Sequence, residues 1–264
     1  MGIELNKIYN IDNIQGCKML DNESVDLVVT SPPYDNLRHY NGFCFDFDNL
    51  VKELFRIVKR GGVIVWIVSD STKDYCESGT SFRQALGFME YGFNLFDTMV
   101  WIKDGGGAIG SNICYVQNFE YMFVFSKGKP KSINLIYDKP NMSFDPNKKT
   151  YTRKCSRTGD KREGYEVTMN MLEYSRRNNW WYLCPQKQDG SKWHPAVFPE
   201  ELVRDHIISW SNEGDLVLDP FMGSGTTAKV ARALGRKYIG FEISKEYCEL
   251  ANKRLQDTKT LWDL

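Results

Sequence analysis

Two short stretches carry residue types that could do chemistry together. They are Ser31-Pro-Pro-Tyr34, and Asp219-Pro-Phe-Met-Gly-Ser-Gly-Thr-Thr227 with Glu242 beyond it. In the second, Leu216–Leu218 reads as a short buried strand, and Asp219 falls at its C-terminal end. Open α/β sheets place ligand-binding groups at that end. Gly223 and Gly225 let the chain turn tightly and approach a ligand closely. Thr226 or Thr227 is expected to cap the helix that follows. A second strand, Lys237–Phe241, leads to Glu242, an acid placed to accept both hydroxyls of a ribose.

Three cofactors suit such a unit. A P-loop needs a Lys after its last glycine, and Gly225 is followed by Thr226, which argues against ATP. Gly223-Ser-Gly225-Thr-Thr-Ala228 fits a dinucleotide fingerprint, with Glu242 near the offset of about 20 residues. S-adenosyl-L-methionine fits equally, with a ribose for Glu242 and a cationic amino-acid tail that Asp219 could help hold. A purely structural strand-turn-helix has the same local pattern.

Ser31-Pro-Pro-Tyr34 follows the β-branched strand Val25–Thr30. Two prolines end a sheet ladder and remove two donors, leaving rigidly placed carbonyl acceptors. The Ser31 hydroxyl adds an acceptor and Tyr34 an aromatic face. Such a group could hold a flat heterocycle by its exocyclic amino hydrogens. An exposed Pro-Pro loop is the alternative.

The elements that must position these groups alternate in type. Strands are expected at Lys7, Val25, Val63, Asn94, Tyr121, Asp215 and Lys237. Helices are expected over 13–20, 46–60 (closed by Gly61-Gly62), 81–91, 200–210 and 245–255. Asp104–Asn112 is a glycine-rich loop that is a connector or could close over a polymer. No apolar run approaches the ~18–20 residues of a membrane span, and the first residues hold no signal-peptide core. Seven widely spaced cysteines without a Cys-x-x-Cys pair argue against zinc and against a disulfide framework, and for a reducing cytoplasm.

Net charge is zero but uneven. Residues 127–192 hold 15 Lys and Arg against 7 Asp and Glu, while the rest holds 19 against 27. This basic stretch interleaves Arg153, Lys154, Arg157, Lys161, Arg162, Arg176 and Arg177 with Tyr151, Trp180 and Trp181. Phosphate contact and base stacking suit that mixture, as does a solvated lobe with a small aromatic core.

Taken together, these stretches resemble the β-class DNA amino-methyltransferases. Val25–Tyr34 resembles their catalytic motif and Asp219–Thr227 their S-adenosylmethionine motif. His194-Pro-Ala-Val-Phe-Pro199 resembles the segment before the cofactor helix. The resemblance covers most of 7–126 and 193–255, and not the insert. It implies a catalytic half over 1–126, a target-recognition insert over 127–192 and a cofactor half over 193–264. It implies a seven-stranded, mostly parallel, doubly wound α/β sheet, circularly permuted. Catalysis would rest on Ser31, Pro32, Pro33 and Tyr34. The cofactor would meet Asp12, His194, Phe198, Asp219, Pro220, Phe221, Gly223, Gly225, Thr226 and Glu242. The substrate implied is double-stranded DNA, read at a specific site, with the target base flipped out and stacked on Tyr34. Ser before Pro-Pro-Tyr points to N4 of cytosine; N6 of adenine is the alternative. A cognate restriction endonuclease and a homodimer are compatible partners. A non-catalytic DNA-binding subunit with the same fold is the contrasting reading. C5-cytosine chemistry is not expected, since it uses a cysteine commonly found in a Pro-Cys pair, and Cys184-Pro185 is reversed.

Overall fold

The computed structural model describes residues 3–33, 46–103, 115–148, 150–156, 164–183 and 199–256, without the side chains of 153–156, 164 and 165. In chain order the elements are β1 (Lys7–Asn10), α1 (Asn13–Lys18), β2 (Val25–Thr30), α2 (Phe47–Ile57), β3 (Val58–Val68), β4 (Thr72–Lys73), β5 (Cys76–Glu77) and α3 (Thr80–Glu90). There follow β6 (Asn94–Ile102), β7 (Phe119–Ser126), β8 (Tyr137–Pro140), β9 (Thr150–Ser156), β10 (Gly164–Asn170), β11 (Tyr174–Arg176) and β12 (Trp180–Tyr182). The last elements are α4 (Glu200–Trp210), β13 (Leu216–Asp219), α5 (Thr226–Ala233), β14 (Lys237–Glu242) and α6 (Lys245–Gln256).

The chain forms two compact units, one of 1–134 with 179–264, the other Leu135–Asn178. In the first, one sheet runs β1-β14-β13-β2-β3-β7-β6-β12. Among the described residues, only β7 is antiparallel to its neighbours in that sheet. The C-terminal strand β13 pairs with β2, and the N-terminal strand β1 pairs with β14. That is the permuted order: the two halves of the chain meet in mid-sheet, between β13 and β2. Strand order reverses there, which makes it the switch point where such sheets bind ligands.

Alternation along the strands divides the core between the two faces. Leu27, Val29, Val63 and Val65 face α4, α5 and α6, through Leu202, Ile207, Ala228 and Ala251. Val28, Ile64, Trp66 and Phe125 face α2 and α3, through Leu50, Leu54 and Phe88. Strands covered on both faces need continuous apolar runs, which is why β2 and β3 are Val/Ile-rich.

Three expectations are corrected here. The sheet has eight strands among the described residues, because β12 pairs with β6. Trp181 is buried in the core while Trp180 and Tyr182 are exposed, so strand alternation runs through what reads as part of a basic lobe. Helix α2 stops at Ile57 rather than Arg60, since Val58 turns extended and pairs with Val25. Gly61-Gly62 therefore lies inside β3, with Gly61 at φ +81°. The cap of α5 is Gly225 at φ +84°, not a threonine. Thr226 is the first helical residue, and the Thr227 hydroxyl bonds elsewhere.

Among its described residues the second unit holds two antiparallel strand pairs, β9 with β10 and, enclosing them in the chain, β8 with β11. Arg177 binds Asp138 through Nε at 2.8 Å and through its Nη2, which fastens the β8–β11 ribbon. That hydrogen bonding holds the Asp138 carboxyl below the usual range.

Candidate active site at the switch point

Strand ends set the site. Asp12 follows β1, Glu242 ends β14, Asp219 ends β13, Ser31 follows β2 and Ser69-Asp70 follows β3. These five parallel strands are neighbours in that order, so their ends line one edge of the sheet. Asp70 is occupied locally: its carboxylate accepts from Ser81 N at 3.0 Å and Ser78 Oγ at 2.9 Å, capping α3.

Asp219 is the centre of the arrangement. It is 2% exposed and accepts three hydrogen bonds. Thr30 Oγ1 donates to Oδ1 at 2.6 Å, Phe221 N to the same oxygen at 3.0 Å and Thr227 Oγ1 to Oδ2 at 2.7 Å. Thr30 immediately precedes Ser31, so this carboxylate joins the Ser-Pro-Pro turn to the glycine loop directly. Burial pushes the Asp219 carboxyl up to about 6, against the lowering effect of Thr30, Thr227 and the Phe221 amide; the nearby Glu242 charge raises it further. A carboxylate offers about four acceptor positions, and three are filled here. Asp219 thus acts on the site mainly by holding the two loops together.

Glu242 differs. Its Oε2 accepts from Gly223 N and its Oε1 from Ser244 N, each at 2.8 Å. Two acceptor positions remain for a diol. Burial raises its pKa, opposed by those backbone donors. Asn10 Nδ2 donates to the carbonyls of Glu242 and Ile243, at 2.9 Å each, fixing this strand end against β1. Asp12 Oδ1 accepts from Ile14 N at 3.0 Å and Gln15 N at 3.1 Å, so it caps α1 at this edge.

The loop between Asp219 and α5 is packed throughout. Pro220 is buried, and Phe221 is half-buried with its ring edge-on to Trp66 at 6.2 Å. A Cβ on Gly225 would stand 2.8 Å from Ala251 Cβ, so α6 permits only glycine there. Arg254 of α6 reaches back to donate to Ser224 O at 2.6 Å and Ser224 Oγ at 2.9 Å. Glu200 Oε1 accepts from Arg254 at 3.3 Å and from Lys229 at 2.7 Å, tying α4, α5 and α6 together behind the loop. Sequence reasoning missed Thr30, Arg254 and Glu200. Arg254 has the local signature of a basic residue complementing its helix C-terminus, and only its position beside Ser224 gives it a role.

Ser31 and Pro33 are half-buried and Pro32 is buried. Tyr34, His194, Phe198, Arg157, Lys161 and Arg162 lie outside the described residues, as do the side chains of Arg153 and Lys154 in β9. Arg176 is exposed in β11, whereas Arg177 is committed to Asp138. Among the described residues, no group of His, Cys, Asp and Glu could hold a metal ion, and no helix is long and apolar enough to cross a membrane.

The fold and the site define a class. The family model N6_N4_Mtase, described as DNA methylase, matches residues 25–253, and the chain belongs to that family. It is a DNA amino-methyltransferase. Among its relatives, the orphan methyltransferase M.BamHII of Bacillus amyloliquefaciens is 50% identical over 253 residues, 93% of this chain and 92% of that one. The structure of the M1.HpyAVI–SAM complex is 25% identical with a TM-score of 0.63, covering 94% of this chain and 98% of that one. The PvuII DNA methyltransferase (cytosine-N4-specific) shares the fold, at 21% identity and a TM-score of 0.70, covering 98% and 89%.

Proposed function

We propose that the protein transfers a methyl group from S-adenosyl-L-methionine to N4 of a cytosine at a defined site in duplex DNA. The observation that carries this reading is the Thr30–Asp219 hydrogen bond, which joins the Ser31-Pro-Pro turn to the glycine loop through two side chains. The bound cofactor supplies an electrophilic sulfonium methyl group. The residues present suit it: Glu242 retains acceptor positions for the ribose, and the Gly223–Thr226 loop is braced from behind.

The amino nitrogen of cytosine is a poor nucleophile because its lone pair is delocalised into the ring. Ser31 Oγ and the carbonyl of Pro32 or Pro33 accept its two hydrogens and draw the nitrogen toward tetrahedral geometry. Positioning and preorganised acceptors supply the acceleration, and no covalent link to the base is needed. Tyr34 stacks on the flipped base, whose extraction from the duplex costs a few kcal/mol. Basic residues of the insert, among them the exposed Arg176, contact phosphates. Duplex DNA is the macromolecular substrate, in the cytoplasm, and a cognate endonuclease is a compatible partner.

The test is to incubate the protein with S-adenosyl-L-methionine and mixed-sequence duplex DNA, digest to nucleosides and identify the product by mass spectrometry. N4-methylcytosine is expected. N6-methyladenine would retain the family and the acceptor geometry but remove Ser31 as the selector of the base. Cofactor binding by calorimetry with no product on any DNA would favour a binding-only subunit. Tyr34→Ala should lower turnover at least about a hundredfold while cofactor affinity persists, a loss in the range of a misplaced reacting group.

A further inference from the structure

The strand ends fall on two sides of Ser31. Asp219, Glu242 and Asp12 end or follow β13, β14 and β1, all on one side of β2. A cofactor held by those groups leaves the other side for the ring of a base whose amino group Ser31 accepts. There β3 runs into Ser69, and Gln117 lies just before β7.

Register places Ser69 relative to the catalytic turn. Thr30 and Trp66 are the last pair between β2 and β3. Leu27 and Val29 of β2 face α4, α5 and α6, as do Val65 and Ile67 of β3. Alternation carried one step past each strand end puts Ser31 and Ser69 on that same face. Ser69 then lies one strand across and two residues further along, roughly 8 Å between Cα positions. A pyrimidine ring with a hydrogen bond at each edge fills a gap of that size.

Donors and acceptors decide what fits. Gln117 Nε2 donates to Ser69 Oγ at 3.3 Å. Ser69 is 8% exposed, and among the described residues its side chain makes that hydrogen bond alone, so its own hydrogen is unspent. A buried donor left unmet is destabilising, which singles this one out as a ligand contact. Accepting the bond from Gln117 strengthens it as a donor. Gln117 is half-buried and keeps a second amide hydrogen. Two donors side by side match N3 and O2 of cytosine, which are both acceptors and follow the amino group along its Watson–Crick edge. Adenine presents N1 and then a C–H, which leaves the second donor unpaired.

We infer that Ser69 and Gln117 read the flipped cytosine, the Ser69 hydroxyl donating to N3 and the Gln117 amide to O2. Flipped bases are read along this edge. The inference rests on the N4-cytosine reading above and adds to Ser31 two residues that choose the base.

The experiment uses duplex oligonucleotides bearing the methylated site, once sequencing of the wild-type product has located it. The target position carries cytosine, 3-deazacytosine, with C–H in place of N3, or adenine. In wild type, 3-deazacytosine should lower kcat/KM roughly ten- to a hundredfold relative to cytosine, because it leaves the Ser69 donor unpaired. In Ser69→Ala the same replacement should cost at least about fivefold less, since that donor is gone. Changes that 3-deazacytosine makes to base pairing and to the amino group act on both proteins and cancel in the comparison. Gln117→Leu should lower the cytosine-to-adenine ratio of kcat/KM about tenfold or more, whereas a residue that only shapes the fold would lower both values together. An equal 3-deazacytosine penalty in wild type and Ser69→Ala would overturn the Ser69 contact. An unchanged ratio in Gln117→Leu would overturn the Gln117 contact. N4-methylcytosine would remain the product in both cases. N6-methyladenine as the wild-type product would instead overturn the N4-cytosine reading, and this inference with it. Unchanged cofactor affinity by calorimetry shows that each variant is folded.

Discussion

Asp219 accepts three hydrogen bonds and still has a carboxyl pushed up to about 6, because burial outweighs its donors. Ionised, it is best held by Thr30, Thr227 and the Phe221 amide. Its folded value lies above the ordinary 3.8, so between pH 4 and 6 the native state binds the proton more tightly than the unfolded chain. Stability from this group is therefore greatest below about pH 4, declines as pH rises through about 6, and is constant above; the difference is about 3 kcal/mol. Asp219→Asn cannot titrate. Urea unfolding of the two proteins at pH 4.5 and 7.5 should show the wild-type advantage shrinking as pH rises, and an advantage that grew with pH would remove the buried-acid account. At neutral pH the variant should also weaken cofactor binding, measured by calorimetry, since one amide oxygen cannot receive all three donors.

Helix α6 acts at the scale of the element. It takes no part in the sheet, yet it sets the shape of the cofactor loop through Ala251, which excludes a side chain at Gly225, and through Arg254, which holds Ser224. Arg254→Ala should raise the cofactor dissociation constant roughly ten- to a hundredfold, with kcat at saturating cofactor nearly unchanged, because a charged hydrogen bond contributes about 1.5–3 kcal/mol and Glu242 still holds Gly223. Arg254→Lys should recover part of the loss. Gly225→Ala meets both a clash and a positive φ, and should lower the unfolding free energy by about 2–3 kcal/mol in a urea titration. Equal effects of Arg254→Ala on wild type and on a Ser224→Ala protein would assign the brace to the Ser224 carbonyl, which that substitution leaves in place, and an unchanged dissociation constant in Arg254→Ala would show that the brace acts elsewhere.

At the scale of the molecule, the two compact units suggest separable duties. Replacing Leu135–Asn178 by a short Gly/Ser linker should leave a chain that binds S-adenosyl-L-methionine within about threefold of wild type but no longer methylates DNA. Its residual DNA affinity should fall off less steeply with salt, because every phosphate that the shortened chain leaves unneutralised flattens that slope by about one. Loss of cofactor binding on this deletion would show that the sheet needs the insert to fold. Strands β2, β3, β7, β13 and β14 were legible as strands because a strand buried on both faces announces itself in a continuous apolar run, and the only partly buried β1 and β6 were read as strands too. Strand β12 was not, because three aromatic residues following Arg176 and Arg177 have the composition of a stacking surface. The boundary at Val58 was likewise hidden: Ile57, Val58 and the residues around them suit helix and strand equally, and pairing with Val25 decides between them.

The sequence by itself determined the two motifs, the alternation of strands and helices around them, the order of the two halves and the basic character of the insert. Each of these is written in adjacent residues or in a short period, so it survives without coordinates. The tertiary structure alone decided how the motifs engage. Thr30 meets Asp219 across 189 residues of chain, and Arg254 reaches Ser224 across 30. It also decided that the Thr227 hydroxyl serves Asp219 rather than the helix cap. A hydrogen bond between distant segments leaves no period in the sequence, because strand pairing, not local propensity, sets which side chains face each other.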